Sequence, residues 1–183
     1  SHLLATYTVA ESQRGVVTQD ACVVSWLEPG RHRVWQYDRQ VGITYLNIQA
    51  GFLAMDHMPE IAGVLPQKAA EPLEVSVGEV AILYREGRGF ASLGPGSYMI
   101  WQLRHKIRAK VFSTQEVMTQ IPQEDWSLVG AHMLIQQTVR PHERGLLWVD
   151  GEFSGELGEG RYGVHNDRRD VTFTVVDMRE QEL

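Results

Sequence analysis

Apolar and polar positions alternate along this chain in short runs, and the runs come in sets. Val41, Ile43 and Tyr45 alternate with Gly42, Thr44 and Leu46, a period of two that predicts a half-buried strand over 41–47. Val16-Val17 and Cys22–Val24, the latter closed by Trp26-Leu27, predict two strands joined across 18–21, and Arg31–Trp35 predicts another. Between them Leu27-Glu28-Pro29-Gly30 reads as a turn, since Pro presets φ and Gly supplies a positive one. The series recurs with strands over 73–77 and 80–84, a hairpin turn at 85–88, a turn at Leu93–Gly96, and strands over 98–103 and 107–112. It recurs again with the hairpin Trp148–Phe153, where Asp150-Gly151 suits the paired positive φ of a type I′ turn. There the following turn is Leu157–Gly160, with Glu159 in place of the Pro, and the last strand runs over 171–177.

The recurrence is a sequence repeat. Without a gap, Arg14–Trp35 falls on Val80–Trp101 at an offset of 66, and that block falls on Arg144–His165 at an offset of 64. The anchor columns are Thr18/Tyr84/Trp148, Asp20/Glu86/Asp150, Ala21/Gly87/Gly151, Leu27/Leu93/Leu157, Gly30/Gly96/Gly160 and Trp35/Trp101/His165. Two connectors lie between the copies. Met58–Leu65 reads as a short helix with Pro59 at its start, and Ile121-Pro122-Gln123 repeats Met58-Pro59-Glu60 in the second connector. The expected organisation is a β unit at 1–50, a connector at 51–72, a second unit at 73–115, a connector at 116–135 and a third unit at 136–183. The fold class is mainly β, three tandem antiparallel units of four or five strands joined by partly helical connectors. The alternative is a single pseudo-threefold β fold, against which the helical connectors argue.

Composition narrows the function. A net charge of −6 and a pI near 5.6 argue against a nucleic-acid partner, which needs a basic face to meet phosphates. The basic run Arg104–Lys110 reads as a solvated strand face. One cysteine, Cys22, excludes an internal disulfide and reads as a small buried thiol within a strand rather than a nucleophile. No apolar run approaches the ~18 to 20 residues that span a bilayer, and the chain is expected to be a soluble fragment. Ser1-His2 reads as a cloning remnant, and the abrupt ending at Leu183 as a cut within a longer protein.

Candidate chemistry meets a structural explanation at each point. Gly158-x-Gly160-x-x-Gly163 spells a dinucleotide-binding glycine motif, but the residues after it do not start the helix that would hold a pyrophosphate. The seven histidines, 2, 32, 57, 105, 132, 142 and 165, lack the i, i+2 or i, i+4 spacing that aims two imidazoles at one metal. They read as surface or satisfied strand residues. Ser97 sits where the sister copies carry Arg31 and Arg161, and no nucleophile elbow surrounds it. Asp20, Glu86 and Asp150 share a turn column, and a triplicated position is a poor place for a unique catalytic group. The expectation is therefore no enzyme, no cofactor and no metal. The singled-out residues are structural anchors: Leu27, Gly30, Trp35, Gly87, Leu93, Gly96, Trp101, Gly151, Leu157 and Gly160. Tyr84, Trp35, Trp101 and Trp148 could line a groove for carbohydrate or another small ligand, but their repetition favours packing.

Residues 139–183 carry a resemblance. Glu143-Arg144-Gly145, Asp150-Gly151, Leu157 with Gly160, and Asp177 with Arg179 resemble the N-terminal region of slipins, stomatin-like members of the band 7 (SPFH) superfamily. There a strand ending in Glu-Arg-Gly leads to an Asp-Gly-Arg hairpin, a Leu-x-Pro-Gly turn and a Val-Asp-x-Arg segment that opens the main domain. Glu152 and Glu159 depart from that pattern. The likeness is fair over 75–115 and weak over 10–49, and some bacterial slipins are similar in carrying extra β units before the main domain. The resemblance implies a non-enzymatic scaffold, membrane-associated through parts of the parent absent here and facing the cytoplasm. It also implies self-assembly and a membrane protease partner of the NfeD type. Function is expected where the copies differ or abut.

Overall fold

The computed structural model describes residues 3–37, 39–56 and 59–181. Three sets of five strands follow one another. The first is β1 (Leu4–Val9), β2 (Gln13–Gln19), β3 (Cys22–Leu27), β4 (Gly30–Trp35) and β5 (Val41–Asn47). A short β6 (Phe52–Ala54) and a 3-10 turn at Pro59–Gly63 lead to β7 (Ala70–Val75), β8 (Glu79–Arg85), β9 (Arg88–Leu93), β10 (Gly96–Trp101) and β11 (Ile107–Ser113). A second 3-10 turn, Gln123–Leu128, precedes β12 (Leu134–Val139), β13 (Glu143–Val149), β14 (Glu152–Leu157), β15 (Gly160–His165) and β16 (Val171–Asp177).

Each set pairs in the same way. The first and fourth strands form a ribbon, and the second strand lies between the third and fifth. Register repeats as well: Leu4 faces Trp35 in the first ribbon and Leu134 faces His165 in the third. A β-bulge interrupts each hairpin at one column, between Val17 and Thr18, Leu83 and Tyr84, and Leu147 and Trp148. The turn beyond it places two successive residues at positive φ, Asp20-Ala21, Glu86-Gly87 and Asp150-Gly151, as a type I′ turn demands. Gly30, Gly96 and Gly160 have φ of +131°, +152° and +154°. That is positive as the turn reading expects, but it is the extended region open essentially to Gly, and each glycine is the first residue of its strand.

The mainly β class with short connectors is what the alternation predicts. The differences lie at the edges of the pattern. β1, β6 and β12 are strands beyond those marked by alternation. The strand expected over 73–77 is Ala70–Val75, with Val77 in the turn before β8. The connector helices are short 3-10 segments of five and six residues, and Met58 lies outside the described residues.

By compactness the chain divides into two units, Ser1–Glu74 with Gly96–Ile107, and Val75–Pro95 with Arg108–Leu183. The second repeat is thus shared: its ribbon belongs mostly to one unit and its three-stranded sheet mostly to the other. In the first unit the core joins Val16, Leu46 and Ile48 of the first repeat's sheet to Ile61 of the connector turn and Trp101 of β10, with Leu53, Met55 and Ala70 around them. In the second unit Val80, Ile82 and Phe112 of the second sheet meet Ile121, Trp126 and Val129 of the connector and Leu134 of β12. A further cluster there packs the opposite face of the third sheet, Leu147, Val171 and Phe173, on its own ribbon through Val164 and Ile135.

Candidate functional site

The two cores are versions of one contact. The outward face of a repeat's sheet is covered by the connector and ribbon of the next repeat. Burying each aliphatic side chain in such a contact contributes about 1.5–3 kcal/mol. The connectors are built to make it. Trp126 inserts into the core and its indole N–H donates to the Ile121 carbonyl at 2.8 Å. Thr119 donates its backbone N–H to Gly163, and Met118 bridges Val164, so the second connector runs along β15 as β6 runs along β10.

Polar groups fix the second connector turn on the β8–β9 hairpin. Ser92 Oγ donates to the Leu128 carbonyl at 2.6 Å, and Tyr84 Oη donates to Asp125 Oδ2 at 2.7 Å. Asp125 is buried, and Gly89 leaves the space that its carboxylate occupies. Desolvation, and then the hydrogen bond to the Asp125 carboxylate and the charges of Asp125 and Glu124, push Tyr84 up to about 12. A cleft of about 460 Å³ opens beside this junction, lined by Arg88 and Glu124 among others, and another of about 500 Å³ lies between Met118 and Leu157.

The third sheet differs from the first two. β2 and β8 each bury four residues in succession, Arg14–Val17 and Val80–Leu83, as strands covered on both faces do. β13 instead alternates, with Gly145 and Leu147 buried and Arg144, Leu146 and Trp148 only partly so. Its outward face carries Trp148 and Phe153, edge to face at 5.7 Å, with Leu146, Val176 and Met178. Met178 is 45% exposed where the aligned Ile48 and Thr114 are 5% and 2%, and Phe153 is 60% exposed. At the other extreme of the chain the first ribbon shows the converse. Trp35 is 64% exposed, whereas Trp101 and His165 in the same column are 2%.

Of the anchors, Leu93 and Trp101 are buried, Leu27, Leu157 and Gly160 are half-buried, and Gly30, Gly87, Gly96 and Gly151 are exposed at turns. They do not converge on one site. Trp101 packs at 6.0 Å against Trp26, the rings tilted by 42°, inside the first unit's core. His165 is buried, with Nδ1 3.2 Å from the Met133 carbonyl and Nε2 meeting no hydrogen-bond partner among the described residues, so it is not a surface histidine. Cys22 is exposed at the start of β3. That corrects the expected buried thiol, because the pleat turns this position outward. His2 and His57 lie outside the described residues. Gly158–Gly163 runs into β15, a strand. Near the carboxyl end Arg179 donates to Asp177 through its side chain and its backbone N–H, which holds that carboxyl down at about 2. Among the described residues no group of three or more His, Cys, Asp or Glu is placed to hold a metal, and no helix is long and apolar enough to cross a membrane.

Comparison with protein-family models, with curated proteins and with solved structures finds no significant match for the chain.

Proposed function

We propose that this chain is a non-catalytic assembly and partner-docking module of a slipin-like, membrane-associated protein of the band 7 superfamily. The observation that carries the docking part is the contact made twice, in which one repeat's sheet is closed by the connector and ribbon of the next. A molecule built this way uses its repeated surfaces to bind modules like itself, as stacked-repeat proteins do. The family part rests on Glu143-Arg144-Gly145, the Asp150-Gly151 hairpin, and Asp177 with Arg179. The parent would face the cytoplasm, assemble with itself and work beside a membrane protease of the NfeD type. The alternative, a carbohydrate or small-ligand module, draws little support from the aligned aromatics, since Trp35 is exposed and Trp101 is inside a core.

The test is to measure the mass of the longer parent in mild detergent, with chemical cross-linking in the producing cell. Assemblies of several copies, or cross-links to a membrane protease, are expected. A parent that stays monomeric and uncross-linked would overturn the reading.

A further inference from the structure

We infer that the open face of the third sheet and the open face of the first ribbon are two halves of one contact, made head to tail between two copies of this chain. The inference deepens the docking reading above and rests on it. It starts from a repeated observation: two sheets of this chain each bury their outward face under a following ribbon. In those ribbons Ala70 and Trp101, then Met133 and Leu134, join the covered sheet's core, with Ala69 and His165 at the neighbouring positions; Ala70 is half-buried and the rest are buried. The aligned positions of the first ribbon are Leu3, Leu4 and Trp35, and all three are exposed. Leu and Trp exposed together on one ribbon end are the side chains that interface cores favour.

The receiving face has the matching composition. Leu146 stands where Val16 and Ile82 are fully buried, and Val176 stands where Leu46 and Phe112 are buried. Phe153 and Met178 extend the apolar area on either side. The charges on this face do not disqualify it. Arg144 Nε lies 3.3 Å from Glu156. On the first sheet Arg14, in the same column as Arg144, is buried beneath its cover with Nε 2.9 Å from Glu28 Oε2. That N–H is not aimed at the oxygen, so the pair there is ionic rather than hydrogen-bonded. On the first sheet the arginine of this column is thus covered while its glutamate stays 54% exposed at the rim.

A second copy is the occupant because both surfaces are on the same chain and neither matches itself. The ribbon has knobs and the sheet has the surface that takes them, so the contact is heterologous and would continue as an open string or close as a ring. The ribbon brings Leu3, Leu4 and Trp35 to the contact, and an area of that size is expected to give weak and reversible association.

The experiment is sedimentation velocity with light scattering on the 183-residue chain, from about 1 μM to about 1 mM, a range that spans weak association. Wild type should show a mass that rises with concentration. Trp35→Ala spoils the ribbon and the double variant Phe153→Lys with Met178→Glu spoils the sheet. All three side chains are exposed, so both proteins should keep the wild-type circular dichroism. Each variant alone should associate at least about tenfold more weakly, the effect of losing a hot-spot side chain. Mixed in equal amounts they should form a one-to-one pair that grows no further, because each brings the half that the other lacks. A wild type that is monomeric throughout, or self-association that survives both variants, would overturn the inference. If the chain is monomeric while the longer parent assembles, this contact fails and the docking reading stands. Protection of Trp35 only when a longer parent is used would assign the covering surface to another part of that parent and also overturn the second-copy assignment.

Discussion

Tyr84 shows how much one side chain can depend on its column. Thr18 and Trp148 occupy the same bulge position, and Tyr84 there meets a connector carboxylate, Asp125 at 2.7 Å. Replacing Tyr84 with Phe should cost about 1–3 kcal/mol in urea unfolding, because it leaves a buried carboxylate short of a donor. The pH dependence follows from the raised value of about 12. A group whose folded value lies above its unfolded one stabilises fully below the unfolded value, about 10 for tyrosine. That contribution is lost as pH rises from there through about 12. Absorbance titration near the phenolate band should therefore show a late component that Tyr84→Phe removes; an unchanged titration would refute the assigned hydrogen bond.

Within the hairpin, the first repeat departs from its sisters at the second turn residue. Ala21 has φ of +67° where Gly87 and Gly151 stand in the other copies. A left-handed conformation costs an L-residue roughly 1–2 kcal/mol, of which the extra flexibility of an unfolded glycine takes back about 0.5–1. Ala21→Gly should thus raise stability by roughly 0.5–1 kcal/mol in thermal or urea unfolding. A loss of stability would mean that the turn is not of the type I′ geometry. The alternation of residues and the turn chemistry made these hairpins legible: Asp150-Gly151 announces its turn, and Val41–Asn47 its strand. β1 and β12 were harder to read because their ribbons carry polar residues on the exposed side and only a few apolar ones toward the core. β6 is three residues long and exists because β10 offers it an edge.

For the molecule as a whole, a sequence repeat is not an independent folding unit. Residues 1–50 contain a complete first repeat, but Val16, Leu46 and Ile48 reach burial only under Ile61 and Trp101. A peptide of residues 1–50 should show little native structure by circular dichroism and should bind a hydrophobic dye. A cooperative unfolding transition in that peptide would show that the repeat closes its own core. The candidate docking face was only partly legible for the same reason. Leu146 and Ile82 share a column and a similar chemistry, and nothing local says that one is covered and the other half open.

What the sequence determined by itself is the module. Periodicity, turn residues and the triplicated columns specify most of each module's strands, their hairpins and the positive φ of Glu86-Gly87 and Asp150-Gly151, because these depend on neighbours a few residues away. What only the tertiary structure decided is which side of each module is closed and by what. Trp35 and Trp101 occupy the same column, are the same residue and face the same way in their ribbons, yet one is 64% exposed and the other 2%. The difference is the sheet that precedes the second ribbon in its unit. Burial is a property of what packs against a side chain, and that partner lies dozens of residues away.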